Sequence, residues 1–381
     1  MGNTLTSLAP TLFSAAQEVS NEPFNLVKSI NTNFDNKGVA KGDTVTVQTT
    51  VARTASNFTP AATSTSGTDA VAGAITVEIT KSRKVSWHLT GEQIRSLENG
   101  NESNYGPWVS NMMKEGMRTL RNEAEDEAFA YSYIGASRAY GTAATTPFAS
   151  DLSALAQMRK ILKDNGAPMA DLQCVTDTAA YTNALNLGLI NQAYAAGSDS
   201  ERRTGIIGRQ YGFQLGESAS ITTHTKGTAT GFDANGGEPI GETTIVVDGS
   251  SSGTILAGDI VTWVGDTNKY VVASATASGG ATGNIVINTP GLRETLADTV
   301  EGTIGDTYTA NLCFERNAIV GVVRPPLVPD NPTISQMPIS DQFGMTYLLL
   351  DIAQYGQRTW ELHLAFGFKV VQPEHVAILL G

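Results

Sequence analysis

The chain has 381 residues, with 25 Lys and Arg against 37 Asp and Glu, and only 16% of its residues are charged where an ordinary soluble domain carries about 25%. A formal net charge of −12 argues against tight generic binding to nucleic acid, which needs clustered Lys and Arg to displace counterions. Hydrophobic content of 41% excludes a disordered chain, and the length exceeds the roughly 250–300 residues at which one core divides, so two or three packed bodies are expected.

No window approaches the ~20 apolar residues of a membrane span, and Met1-Gly2-Asn3-Thr4-Leu5 lacks the basic start and apolar run of a signal peptide. Cytosolic synthesis and no membrane partner are therefore expected. Cys174 and Cys313 cannot make a disulfide framework, and their apolar flanks read each as a small buried hydrophobe. Lys81-Ser82-Arg83-Lys84 and Arg202-Arg203 read as solvated patches or protein contacts.

Residues 1–45 alternate short apolar groups with Asn, Ser, Pro and Gly and read as an arm with a short helix near 9–18 and no core of its own. From Thr44 the pattern turns to period two, with Val45, Val47 and Val51, and it returns in Ile75-Thr76-Val77-Glu78-Ile79 after an Ala/Thr/Ser/Gly stretch from Thr54 to Gly73. The two runs predict an antiparallel ribbon with a long tip. Such a ribbon is marginal alone in water, so it is expected to lie on another surface.

Tyr105-Gly106-Pro107 opens the longest helical pattern, with Trp108, Met112, Leu120, Ala124 and Ala128 at spacings of four or its multiples. The pattern predicts a helix to about Ile134, ~45 Å long at 1.5 Å per residue, which makes it a structural beam. Glu123, Glu125, Asp126 and Glu127 read as a solvated, ion-paired face of it. Further helices are predicted at 150–164 and 178–187, ahead of an Ala/Gly/Ser loop at 193–200. Between 216 and 312, short β runs separated by Gly-rich turns predict a small all-β body inserted into an α+β chain. Strands resume from 313 to the closing Val376-Ala377-Ile378-Leu379-Leu380, with a stiff Pro-rich connector at 325–332.

No catalytic constellation is legible. Gly249-Ser250-Ser251-Ser252-Gly253 fits the nucleophile-elbow pattern in letters, but it joins two β runs with no helix after it and reads as a turn. His88, His224, His363 and His375 show no metal spacing, and Asp233-Ala234-Asn235-Gly236 opens like a calcium loop but lacks its remaining ligands. No phosphate-cradling glycine motif is present. The expectation is no catalytic residue, no cofactor and no metal.

Several segments, taken in order, resemble the major capsid (coat) proteins of tailed bacteriophages. They are Tyr211-Gly212-Phe213-Gln214-Leu215, Thr225 to Gly231, Ala257-Gly258-Asp259-Ile260-Val261-Thr262-Trp263, Asn311 to Ile319 and Pro373 to Ile378. With the arm, ribbon and beam, the likeness is to the podovirus coat-protein family, whose members carry a β-barrel insertion domain. The resemblance implies an N-terminal arm (1–45), an extended loop (46–82), a peripheral domain with the beam helix (83–145), an axial domain (146–215 with 313–381, the latter shared with the peripheral domain) and the inserted domain (216–312). It implies an icosahedral virion shell of hexamers and pentamers of this chain, scaffolding and portal partners, non-specifically enclosed double-stranded DNA, and a procapsid that matures. Some relatives cross-link through a Lys and an Asn; nothing in this sequence identifies such a pair. Phe13, Phe24, Phe34, Val47 and Phe58 are the candidate intersubunit contacts, since arm and ribbon gain stability when laid across a neighbour. A nanocompartment shell, a tail or decoration component, and an enzyme with a β accessory domain are the alternatives. Removing residues 1–30 is expected to leave a soluble fold and to block assembly.

Overall fold

The computed structural model describes residues 25–34, 39–50, 55, 57, 60, 72–98, 105–191, 203–248, 253–276, 282–329, 331–341 and 344–381. The amino-terminal part comprises α1 (Leu26–Ser29), β1 (Asn31–Phe34), β2 (Thr44–Thr50), β3 (Ala72–Glu78), β4 (Lys81–Thr90), α2 (Gly91–Glu98) and α3 (Tyr105–Ile134). The middle comprises β5 (Arg138–Tyr140), α4 (Ser153–Asp164), β6 (Leu172–Thr176), α5 (Thr178–Asn186), α6 (Gly188–Asn191), β7 (Arg209–Gln210), β8 (Phe213–Glu217) and β9 (Thr223–His224). Then come β10 (Phe232–Ala234), β11 (Thr244–Asp248), β12 (Ile260–Trp263), β13 (Lys269–Ala275), β14 (Gly283–Ile287) and β15 (Glu301–Ile304). The chain ends in β16 (Tyr308–Glu315), β17 (Ile319–Arg324), β18 (Ile334–Ser340), β19 (Thr346–Gln354), β20 (Gln357–Val370) and β21 (Val376–Leu380). The fold is α+β.

The beam helix α3 runs for 30 residues from Tyr105 to Ile134, as its apolar spacing predicts. It lies on a six-stranded sheet ordered β1-β17-β20-β19-β18, with β4 along the other edge of β20. Val109, Met113, Met117, Leu120, Ala124 and Ala128 interlock there with Trp360, Leu362, Leu364 and Phe366 in the largest core. Its end is held by another part of the chain: the Asn288 side-chain amide donates to the carbonyl of Ile134 (2.7 Å), an acceptor that a helix C-terminus leaves open, and to that of Ala136 (2.8 Å) just beyond it.

A second sheet carries thirteen strands. Its first six, β12-β15-β10-β11-β14-β13, are antiparallel throughout, and the β12–β13 pairing closes them into a ring. The ring has its own core, in which Phe232 and Trp263 meet edge to face at 5.8 Å. Gly302 opposite them leaves no room for a side chain, since a Cβ would come within 2.3 Å of the Phe232 ring. The β13–β5 pairing joins the ring to β5-β21-β16-β6-β8-β7, on which α4 and α5 pack through Leu155, Met158, Leu162, Ala180 and Tyr181. Helices α4 and α5 start close to the sequence expectation. The Asp151 carboxylate accepts from Ser153 N–H (2.8 Å) and that of Asp177 from Ala179 N–H (3.2 Å).

The structure differs from the sequence reading at the arm. Its described part, residues 25–34, is built into the body: Leu26, Val27 and Ile30 are fully buried in the beam-helix core, and β1 pairs in parallel with β17. The helix expected near 9–18 lies outside the described residues, as do the 193–200 loop and Gly249 to Ser252.

Candidate functional site

The ribbon formed by β2 and β3 is a two-stranded sheet separate from the two larger ones. Its two strands pair with each other from Thr44↔Glu78 to Thr50↔Ala72, and among the described residues with no other strand. Alternation gives it two faces. Thr44, Thr46, Gln48, Ala74, Thr76 and Glu78 are exposed, while Val45, Val47, Ile75, Val77 and Ile79 point the other way. At the base Val77 and Ile79 are fully buried against Val320, Val322, Ala365 and Val371. Farther out, Val45, Val47 and Ile75 are only half-buried. A ribbon whose apolar face is covered for half its length still has surface to give to another molecule.

Of the five candidate contacts, Val47 sits on that half-covered face. Phe34 ends β1, while Phe13, Phe24 and Phe58 lie outside the described residues. Val45 and Ile75 belong with Val47, and period-two alternation is the signal that joins them.

The basic cluster is not a free patch. Lys81 pairs with Glu127 at 2.6 Å, Arg83 with Glu123 at 2.6 Å and Lys84 with Glu361 at 2.9 Å, all within this chain. The carboxylates of the beam helix are likewise not one solvated face. Glu127 is buried beside Lys81 and accepts from the Thr80 hydroxyl at 3.3 Å. Glu125 is buried where the arm enters. One of its oxygens accepts the Ser218 hydroxyl at 2.6 Å and the N–H of Leu26, first residue of α1, at 3.4 Å. Burial pushes the Glu125 carboxyl above its ordinary pKa, an effect that the Ser218 and Leu26 hydrogen bonds partly offset. The Asn25 side-chain amide donates to the Glu217 carbonyl beside it, so arm, beam and β8 meet at one polar joint.

A second buried joint ties the ring to the beam. His224 Nε2 lies 2.8 Å from Asp259 Oδ1, and its Nδ1 is 3.4 Å from the Tyr133 hydroxyl. The Asp259 carboxylate also accepts from the N–H groups of Gly227 (2.9 Å) and Leu256 (2.7 Å), and the Tyr308 hydroxyl donates to the Gly258 carbonyl at 2.7 Å. These hydrogen bonds tie the beam helix, β9, β16 and the turn before β12 to one another. A shallow apolar hollow of about 270 Å³ lies at the helix end between Ile134, Ala273, Asn288 and Val370, and its one cation, Lys369, donates to the Thr76 carbonyl. Among the described residues no group of three His, Cys, Asp or Glu side chains is arranged to hold a metal, and no helix is long and apolar enough to cross a membrane.

No family model matches this chain, and no curated protein matches it. Solved structures do. A structure of Mycobacterium phage Che8 is 14% identical, with a TM-score of 0.45, covering 89% of this chain and 85% of its own. The capsid of cyanophage P-SCSP1u is 10% identical, with a TM-score of 0.47 and coverage of 94% and 88%. A virus-like particle from Pyrococcus furiosus is 9% identical, with a TM-score of 0.42 and coverage of 97% and 98%.

Proposed function

We propose that this chain is the major capsid protein of a tailed phage, assembling with copies of itself into the icosahedral shell around double-stranded DNA. The observation that carries this is the β2–β3 ribbon, which pairs only with itself among the described residues and leaves Val45, Val47 and Ile75 half-covered. A two-stranded ribbon is marginal in water, and a contact of one fixed patch against a different patch on the next copy, repeated by rotation, closes a shell. A rigid 30-residue beam, fully integrated with the sheet beneath it, supplies the frame on which such a ribbon can be held out. In this scheme the regions 1–45, 46–82, 83–145, 146–215, 216–312 and 313–381 act as arm, extended loop, peripheral domain, axial domain, insertion and returning axial and peripheral strands. Val47 is a subunit contact, and with it Phe13, Phe24, Phe34 and Phe58. Scaffolding and portal proteins guide a procapsid that later matures, and the acidic chain encloses its DNA without binding it tightly or by sequence.

Val47→Asp tests this. A charge on the half-covered face is expected to leave the subunit folded by circular dichroism and to abolish closed particles in electron micrographs. Particles of normal size and yield from Val47→Asp would remove the ribbon from the account.

A further inference from the structure

The chain's two cysteines stand 139 positions apart in sequence and face each other in space. Cys174 on β6 and Cys313 on β16 are direct partners in the antiparallel ladder, and their Sγ atoms are 2.8 Å apart. Both are fully buried, among Leu172, Phe213, Leu215 and Ala377. The phase of the ladder matters. The Arg316 N–H bonds the Asp171 carbonyl, so Asp171 and Arg316 form a hydrogen-bonded pair, and counting along the register makes Cys174 and Cys313 a non-hydrogen-bonded one. Pairs of that kind have Cα atoms about 4.5 Å apart, inside the 4.4–6.8 Å range of disulfides. Neither thiol has another cysteine in the chain to compete for it.

We propose that Cys174 and Cys313 are an oxidisable pair that closes into a cross-strand disulfide within the folded protein when a small peroxide reaches it. In the first step one thiol sulfur attacks a peroxide oxygen, the O–O bond breaks, and the products are a sulfenic acid and water. In the second, the facing thiol attacks the sulfenic sulfur, the S–O bond breaks and a second water leaves. Two thiols and one hydrogen peroxide thus give one disulfide and two waters, the sulfurs losing two electrons and the peroxide gaining them. Burial and the facing Cys174 thiol hold the Cys313 thiol well above its ordinary pKa, so little thiolate forms and the reaction is slower than for an exposed cysteine. The pair is closed to bulky reagents, and a molecule of peroxide's size enters on local opening. The bond would enclose the segment between the two strands, which contains the whole six-stranded ring, and tie its two ends together.

The test uses the folded full-length chain exposed to hydrogen peroxide, followed by removal of excess oxidant, alkylation in denaturant, proteolysis and mass spectrometry. The expected result is a linked peptide joining Cys174 to Cys313, loss of both alkylatable thiols together, and recovery of both with dithiothreitol. Cys313→Ser should give no linked peptide. The oxidised form should melt higher by on the order of 5 °C, a shift that dithiothreitol reverses even though it leaves oxidised methionine unrepaired. Retention of both thiols by the folded chain under conditions that oxidise the unfolded one would overturn the proposal, as would a link found only between two chains. None of these outcomes depends on whether the chain builds a shell.

Discussion

Gly367 lies where the base of the ribbon crosses β20, and it is the position at which one methyl group should do most harm. A Cβ there would stand 2.0 Å from the Glu78 carbonyl oxygen, 2.9 Å from its carbon and 3.0 Å from the Ile79 Cα. All three are backbone atoms, so no side chain can swing aside; ribbon or sheet must move by more than about 1 Å to restore contact distance. Two fully buried side chains, Val77 and Ile79, ride on that crossing. If the base only strains, Gly367→Ala costs about 1–3 kcal/mol, the usual range for overpacking. If the base lifts, it forfeits up to about 1.5–3 kcal/mol for each of the two side chains. Urea unfolding of the unassembled chain measures the sum, and amide hydrogen exchange over residues 72–80 separates the two cases, since lifting strips protection from the ribbon base. Gly91→Ala is the control: a Cβ there meets nothing within 4 Å, and stability should hold or rise slightly. A Gly367→Ala chain within about 0.5 kcal/mol of the parent, with ribbon protection unchanged, would refute this reasoning.

Glu125→Gln should alter the pH dependence of stability. Between the ordinary carboxylate value of 4.5 and the raised value of buried Glu125, the folded chain holds a proton that the unfolded chain has lost, so its stability falls as pH rises through that window. Gln cannot titrate, so denaturation midpoints measured across pH should lose that slope; an identical profile would contradict the burial argument. The arm offers a truncation pair. Cutting before residue 25 leaves Leu26, Val27 and Ile30 in place, whereas cutting through residue 30 removes all three, worth at most about 5–9 kcal/mol together. Because these three side chains sit in the main core, the soluble fold that the sequence alone leads one to expect without residues 1–30 is corrected: calorimetry should find the first truncation folded and the second severely destabilised or unfolded, and equal stability would be inconsistent with the arm's anchoring. Leu120→Ala, at the centre of the beam's buried stripe, should cost about 2–5 kcal/mol in urea melts, and a loss below about 1 kcal/mol would mean that the helix is not packed as described.

The beam helix and the ribbon are legible in the sequence because each buries one clean face. Apolar side chains at spacings of four lie on the sheet, and Val45, Val47, Ile75 and Val77 alternate with polar residues along two strands. Strand β4 follows the same rule but hides it. Lys81, Arg83, Val85, Trp87 and Leu89 all turn toward the beam helix, but its first two members are charged, so the run reads as a basic patch. The alternation becomes visible only when Glu127 and Glu123 are known to stand opposite. Strand β18 is obscured by Pro338, which suits its place at a sheet edge, where a missing N–H breaks no interior ladder. Glu125 reads as solvated because its burial comes from α1 and Ser218, far from it in sequence and bearing no local cue. The meeting of Cys174 and Cys313 depends on the β6–β16 register, which no spacing in the chain foretells.

The central claim is that copies of this chain close into a shell, and electron microscopy of the purified full-length protein, alone and co-expressed with candidate scaffolding proteins, tests it most directly. The account predicts closed, icosahedral particles built of many copies, with the β2–β3 ribbon of each lying across a neighbour. A protein that stays dispersed as a folded monomer under every one of these conditions would contradict it.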